Sequence, residues 1–350
     1  MRLATFQVTT DVGKFKRVGA VVSDGRILDL NFAYATMSGA KGDAYPYESA
    51  NFHLPPDMME LAKRGKQTVD IASETVKWIA DKNIDRAIEG EKLYWDVKDV
   101  KILPPVTNPK VLRDFGSFES HLKKTRAKFG VNIPEAWYRR PMGFKGNPTS
   151  LVGHEDEVVW PSYTERMDYE MEICAVVGKP GRNIPLEEAA DHIFGYTILD
   201  DFSARDVQAE ESSNHTGPFK GKDFAWGLGP WIVTTDEFVN LDSVEMTVRI
   251  NGEVWAQSSP ESMKWSFAQL ISYTSLDETL NTGDLIGSGS VNGGCGFEND
   301  RWVKPGDLVE VEVKDIGVLR NRIGHPDRSS PGNNWTVAAR KAALSASLQH

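Results

Sequence analysis

The stretch DYEMEICAVVG, residues 168–178, sets Glu170 and Glu172 directly ahead of an unbroken apolar run. Alternate side chains of a strand share a face, so the two carboxylates point the same way, about 6.5–7 Å apart along the backbone, where a buried strand begins. Carboxylates entering a core repel each other and lose hydration, and they need a cation or protons in compensation. The plain alternative for an isolated pair is a solvated strand edge. The next segment weighs against it: in GYTILDDFSARDVQ, residues 195–208, an apolar strand ends in Asp200 and Asp201, again where core meets acid. Upstream, VLRDF at 111–115 brings Asp114 in the same form. Several carboxylates delivered where burial begins select a hard cation, Mg²⁺, Ca²⁺ or Mn²⁺. At an effective dielectric of about 20, two like charges about 4 Å apart repel by roughly 4 kcal/mol. A bound cation relieves that repulsion and stabilises the fold.

Outward from this stretch the pattern is mainly β. VEMTVRIN, GEVWAQS, DLIGSG and DLVEVEVKDIGVLRN read as strands, with helices only at LEEAADHIF after Pro185 and around Met263 to Tyr273. Before them, LATFQV, VGAVVS and RILDL alternate with turns, followed by a helical stretch from about Met58 to Ala80. Pro104-Pro105 and Asn108-Pro109 mark a boundary. The expected organisation is a small β-rich domain at 1–105, a mainly β (α+β) catalytic domain at 106–335 and an Ala-rich helical tail at 336–350.

The 350 residues carry 50 acids against 40 bases, a formal charge of −10, and no basic run interleaved with aromatics, so nucleic acid and anionic membranes are poor partners. No apolar run approaches the roughly 18–20 residues that span a bilayer. The N-terminus lacks the apolar core of a signal peptide, which points to the cytoplasm. The two cysteines, Cys174 and Cys295, form neither a thiolate zinc motif nor a disulfide framework. There is no phosphate-binding P-loop, no dinucleotide fingerprint, no G-x-S-x-G elbow and no H-E-x-x-H helix. Nucleotide-dependent enzymes, serine hydrolases of that type and zinc proteases are thereby set aside.

From about Asp114 to Arg320 the chain resembles the fumarylacetoacetate hydrolase superfamily. The segments that carry the resemblance are the E-x-E of residues 170–172, DFSARDVQ at 201–208 and GKDF at 221–224, in the family's order and at closely matching spacing. The resemblance implies a mixed β-roll catalytic domain, a homodimer, and a divalent cation, Mg²⁺ foremost, held by Asp114, Glu170, Glu172 and Asp201. Asp201 is preferred to Asp200 because it holds the matching place before Phe202-Ser203. It also implies that His121, seven residues after Asp114, is catalytic, and that Lys222 acts at the metal or at an oxyanion. Glu298 is the nearest downstream acid able to orient His121, although its spacing departs from the family. Gln208 matches a substrate-contacting position. Arg205 either contacts substrate or ties the carboxylates together, and Ser290 stands where the family has threonine. Gly130 replaces an arginine, while Phe144 and Gly116 replace tyrosines. The usual anchors for a dicarboxylic substrate are therefore partly missing, with Arg139, Arg140 and Lys145 as the substitutes to examine.

The expected reaction is hydrolysis of a carbon–carbon bond in a β-diketone or acylpyruvate-type acid, as in the catabolism of aromatic compounds. Decarboxylation, tautomerisation or dehydration of a 2-oxo acid at the same site is the alternative. A protein whose cation is only structural comes last, because such a site needs neither His121 nor Lys222.

Overall fold

The computed structural model describes residues 1–238 and 241–347, so residues 348–350 of the expected tail lie outside the described residues. The central element is the strand Met171–Val177, buried at every position. Its alternation serves two cores. Met171, Ile173, Ala175 and Val177 face one apolar cluster, and Cys174 and Val176 face another. Each fully buried aliphatic side chain contributes about 1.5–3 kcal/mol, which helps offset the desolvation of the acids at the strand's end.

This strand lies antiparallel between Ile193–Asp201 and Leu285–Gly287, and Leu112–Phe115 runs parallel to the latter. The register pairs Met171 with Asp200, Glu172 with Leu199 and Gly287 with Asp114. The start of one strand thus meets the ends of its neighbours, and the acidic residues of three strands arrive at one rim of a twelve-stranded sheet, the edge formed by the strand ends rather than by a lateral strand. A five-stranded sheet, in which Met246–Ile250, Leu308–Val313 and Gly317–Ile323 are adjacent, covers one face through Val248, Val311 and Leu319. The result is the sheet-rich α+β roll expected from the sequence.

Residues 1–105 build onto the same sheet. Arg2–Thr10 pairs with Gly13–Val21 and, across more than 220 residues of chain, with Trp226–Thr234, setting Leu3 opposite Ile232. The helical stretch read at 58–80 is two helices, Met58–Lys63 and Lys66–Asp81. Gly65 separates them at φ +57°, a conformation that costs glycine little. Two further helices, Leu30–Ala40 and Pro46–His53, were not evident from periodicity. Leu30–Ala40 begins on an Asp29 cap that accepts from the Phe32 N–H and pairs with Arg17 at 2.6 Å. Its Leu30, with Leu54, Leu61, Val69 and Ala72 of the following segments, packs on the Cys174 and Val176 face of the sheet. The expected terminal helix is present over Val337–Ser347.

Candidate active site

Asp114, Glu172 and Asp201 converge at the sheet edge, each buried, with one carboxylate oxygen from each within 4.8 Å of the others. The Gly289 N–H donates to Asp114 Oδ1 at 3.0 Å and to Glu172 Oε2 at 3.1 Å. Glu172 Oε1 and Asp201 Oδ1 are shielded from solvent and have no hydrogen-bond partner. Unpartnered carboxylate oxygens in a buried all-carboxylate donor set fit a hard divalent cation. Glu170, the fourth expected ligand, lies beside them with its oxygens engaged by Arg205 and Lys222, each at 2.6 Å. Lys222, 1% exposed, also bridges to Asp201 at 2.5 Å. Asp200 turns away and accepts from the Glu170 N–H at 2.9 Å, which separates it from the cluster that Asp201 joins.

The charges are unequal to one another. Burial pushes Asp114 up, and Glu172 and Asp201 well up. Neighbouring carboxylates add to the shifts of Glu172 and Asp201, and Lys222 opposes the rise at Asp201. At Asp114 the hydrogen bond with Glu172 and the charge of Lys222 oppose the rise, and Glu170 adds to it. Burial also acts to raise Glu170, but the charges of Arg205 and Lys222 outweigh it and hold that carboxyl well below its usual range. A carboxyl raised in the folded state stabilises the fold below its unfolded value of about 4, and that contribution is lost as pH rises through the raised value. Glu170 has the opposite sign: its contribution is present above about 4 and is lost on acidification. In chelator the melting temperature is therefore expected to fall as pH rises from about 4 toward the raised values of these carboxyls, and excess Mg²⁺ should remove that fall by taking the place of the protons. Thermal melts across that range check it; a Mg²⁺ effect of equal size at every pH would contradict it.

Gly289 sits at φ +82°, and a Cβ there would overlap the Phe115 carbonyl. Gly289→Ala should destabilise the protein by about 1–3 kcal/mol, from backbone strain and overpacking, and weaken cation binding. Urea unfolding with and without Mg²⁺ reads both effects.

His121, on the helix Glu119–Ala127, is buried with Nδ1 2.8 Å from Glu298 Oε1 and Nε2 3.9 Å from Glu170. Both Glu298 oxygens accept from the Gly293 N–H at 3.0 Å. Burial acts to raise Glu298, but His121, the Gly293 N–H and Lys124 hold it below its usual value. An ionised Glu298 accepts from Nδ1–H, so the neutral form of the ring is the tautomer whose Nε2 carries the lone pair.

A cavity of about 970 Å³ opens on these groups; Asp114, His121, Glu170, Gln208, Lys222 and Ser290 are among its lining. Ser290 Oγ is buried without a partner. Arg205 ties the carboxylates together, pairing with Asp168 at 2.8 Å, Glu170 at 2.6 Å and Gln208 at 2.9 Å, and it also lines the cavity, so the structure supplies both placements weighed for it. Arg139, Arg140 and Lys145 do not line the cavity. Arg139 pairs instead with Glu135 one helical turn away. Sequence reading missed Asp168, which accepts from the N–H groups of Gly296 and Phe297, each at 2.9 Å, and so fixes the loop that carries Glu298. Its signal was the same two-residue period that singled out Glu170 and Glu172.

Residues 110–324 match the family described as fumarylacetoacetate (FAA) hydrolase C-terminal. The oxaloacetate tautomerase YisK of Bacillus subtilis is 29% identical over 311 residues, covering 88% of this chain and 96% of that one. A protein of Archaeoglobus fulgidus is 34% identical over 246 residues, covering 69% and 91%. Among solved structures, the fumarylacetoacetate hydrolase of psychrophilic Exiguobacterium antarcticum superposes with a TM-score of 0.66 at 24% identity, covering 92% of this chain and 99% of that one. No helix among the described residues is long and apolar enough to cross a membrane. The convergence of E-x-E, Asp201 and Asp114 at one sheet edge, and a family match over more than half its length, make this chain a member of the fumarylacetoacetate hydrolase superfamily.

Proposed function

We propose that this chain is a divalent-cation-dependent enzyme of small 2-oxo acids bearing a second carbonyl β to the first, and that it interconverts their keto and enol forms. The observation that carries the reading is the His121–Glu298 pair, whose free Nε2 stands beside the carboxylate cluster at the cavity wall. The name of the Bacillus subtilis relative, an oxaloacetate tautomerase, supports the reaction class.

A cation held by Asp114, Glu170, Glu172 and Asp201 would supply Lewis-acid polarisation of the 2-oxo group. His121 Nε2 takes the proton from the carbon between the carbonyls and returns it to carbon or oxygen, while ionised Glu298 stabilises the imidazolium through Nδ1–H. The buried Lys222 ammonium faces the negative charge that develops on oxygen. Ser290 and Gln208 offer hydrogen bonds that orient the acid. Cytoplasmic location and a homodimer belong to the same reading.

Hydrolytic carbon–carbon cleavage is the second reading, favoured by the cavity, whose volume of about 970 Å³ is far more than a four-carbon acid fills. The same His121 then takes a proton from water, hydroxide adds to the distal carbonyl, and the bond to the central carbon breaks to release an acid and an enolate that is protonated on carbon.

Incubating the Mg²⁺ form with oxaloacetate and with acylpyruvates in D₂O separates the two. Tautomerisation predicts accelerated deuterium entry at the central carbon with the carbon skeleton intact. Two acid fragments from acylpyruvates without that exchange would transfer the assignment to hydrolysis.

A further inference from the structure

The helix that carries His121 presents a second group to the cavity. Leu122, Thr125, Arg126 and Phe129, spaced three and four residues apart, line its wall. The basic residues around Arg126 are all engaged: Lys123 with Glu119 at 2.7 Å, Lys124 with Glu298 at 3.4 Å and Lys128 with Asp300 at 2.6 Å. Arg126 is not. Its Nε is shielded from solvent and has no hydrogen-bond partner, and no ion pair among the described residues takes its guanidinium. An arginine donor held out of water without an acceptor is costly, and a planar two-pronged donor of this kind matches a carboxylate.

Its position is also informative. Five residues separate Arg126 from His121, about 7.5 Å along the helix axis. Helical side chains lean toward the helix N-terminus, so the longer arginine side chain reaches back over part of that rise toward a carboxylate one or two bonds from the reacting carbon. One cavity is lined both by the carboxylates Asp114 and Glu170 and by Arg126, with Leu122 and Phe129 also in its wall.

We infer that Arg126 receives the distal carboxylate of the substrate, so that the site selects 2-oxo dicarboxylates over 2-oxo monocarboxylates. The inference rests on the reading of the site as one for 2-oxo acids. It supplies an anchor that Gly130, Arg139, Arg140 and Lys145 do not provide.

Two unreactive five-carbon probes differ only at the far end, 2-oxoglutarate with a carboxylate and 2-oxopentanoate with a methyl group. Calorimetric binding to the Mg²⁺-loaded wild type, Arg126→Gln and Arg126→Lys tests the assignment. Arg126→Gln is expected to weaken 2-oxoglutarate by roughly 10- to 100-fold and to leave 2-oxopentanoate unchanged, with partial recovery in Arg126→Lys. Equal weakening of both probes, or of neither, would overturn the role of Arg126 while the 2-oxo acid reading stands. If the wild type bound neither probe, both would fall.

Discussion

His121→Ala is expected to lower turnover by two to four orders of magnitude, the range of a single general acid–base group, while leaving cation binding intact. The separation follows from geometry. His121 meets the cluster only through Glu170, at 3.9 Å, whereas Asp114, Glu172 and Asp201 converge without it. Glu298→Gln should give a smaller loss, since it keeps the shape of the pair but removes the charge that supports an imidazolium. Steady-state rates with Mg²⁺ titrations of each variant check both halves; loss of cation affinity in His121→Ala would place the histidine among the ligands instead.

Lys222→Met should show the largest effect on stability. The ammonium is buried between Glu170 at 2.6 Å and Asp201 at 2.5 Å. Removing one partner of a buried ion pair costs about 3–5 kcal/mol, because the remaining charge has no compensation. A divalent cation among the same carboxylates supplies part of what the lysine did, so the loss should be greater in chelator than in Mg²⁺. Denaturant unfolding under the two conditions measures the difference. Equal losses would mean that the lysine and the cation do not share the site.

The carboxylates were legible because period two and burial are local signals. Glu170 and Glu172 precede an apolar run and Asp201 closes another, but spacing alone does not make these segments meet; the family resemblance implied it, and the pairing of Met171 with Asp200 brings them together. The partner of His121 was less accessible. Glu298 lies 177 residues downstream, in a loop whose course is set by Asp168 accepting from two of its N–H groups. The pairing of Arg2–Thr10 with Trp226–Thr234 is equally non-local. The helix Leu30–Ala40 escaped periodic reading for a different reason: Asn31, Thr36 and Ser38 are buried along with Leu30, Ala33 and Met37, which leaves it no polar face. Arg126 was invisible for want of context, since an arginine in a lysine-rich helix reads as solvated until its neighbours are seen to be paired and it is not.

The central claim is that one divalent cation is held by the carboxylates at the sheet edge, within reach of a base that it does not bind. Anomalous scattering from crystals grown with Mn²⁺ and oxalate tests it most directly. The account predicts one strong peak among Asp114, Glu170, Glu172 and Asp201, with oxalate oxygens against it and His121 still paired to Glu298. A peak instead at His121, Cys295 and Glu298, the other close group of metal-binding side chains among the described residues, would contradict it.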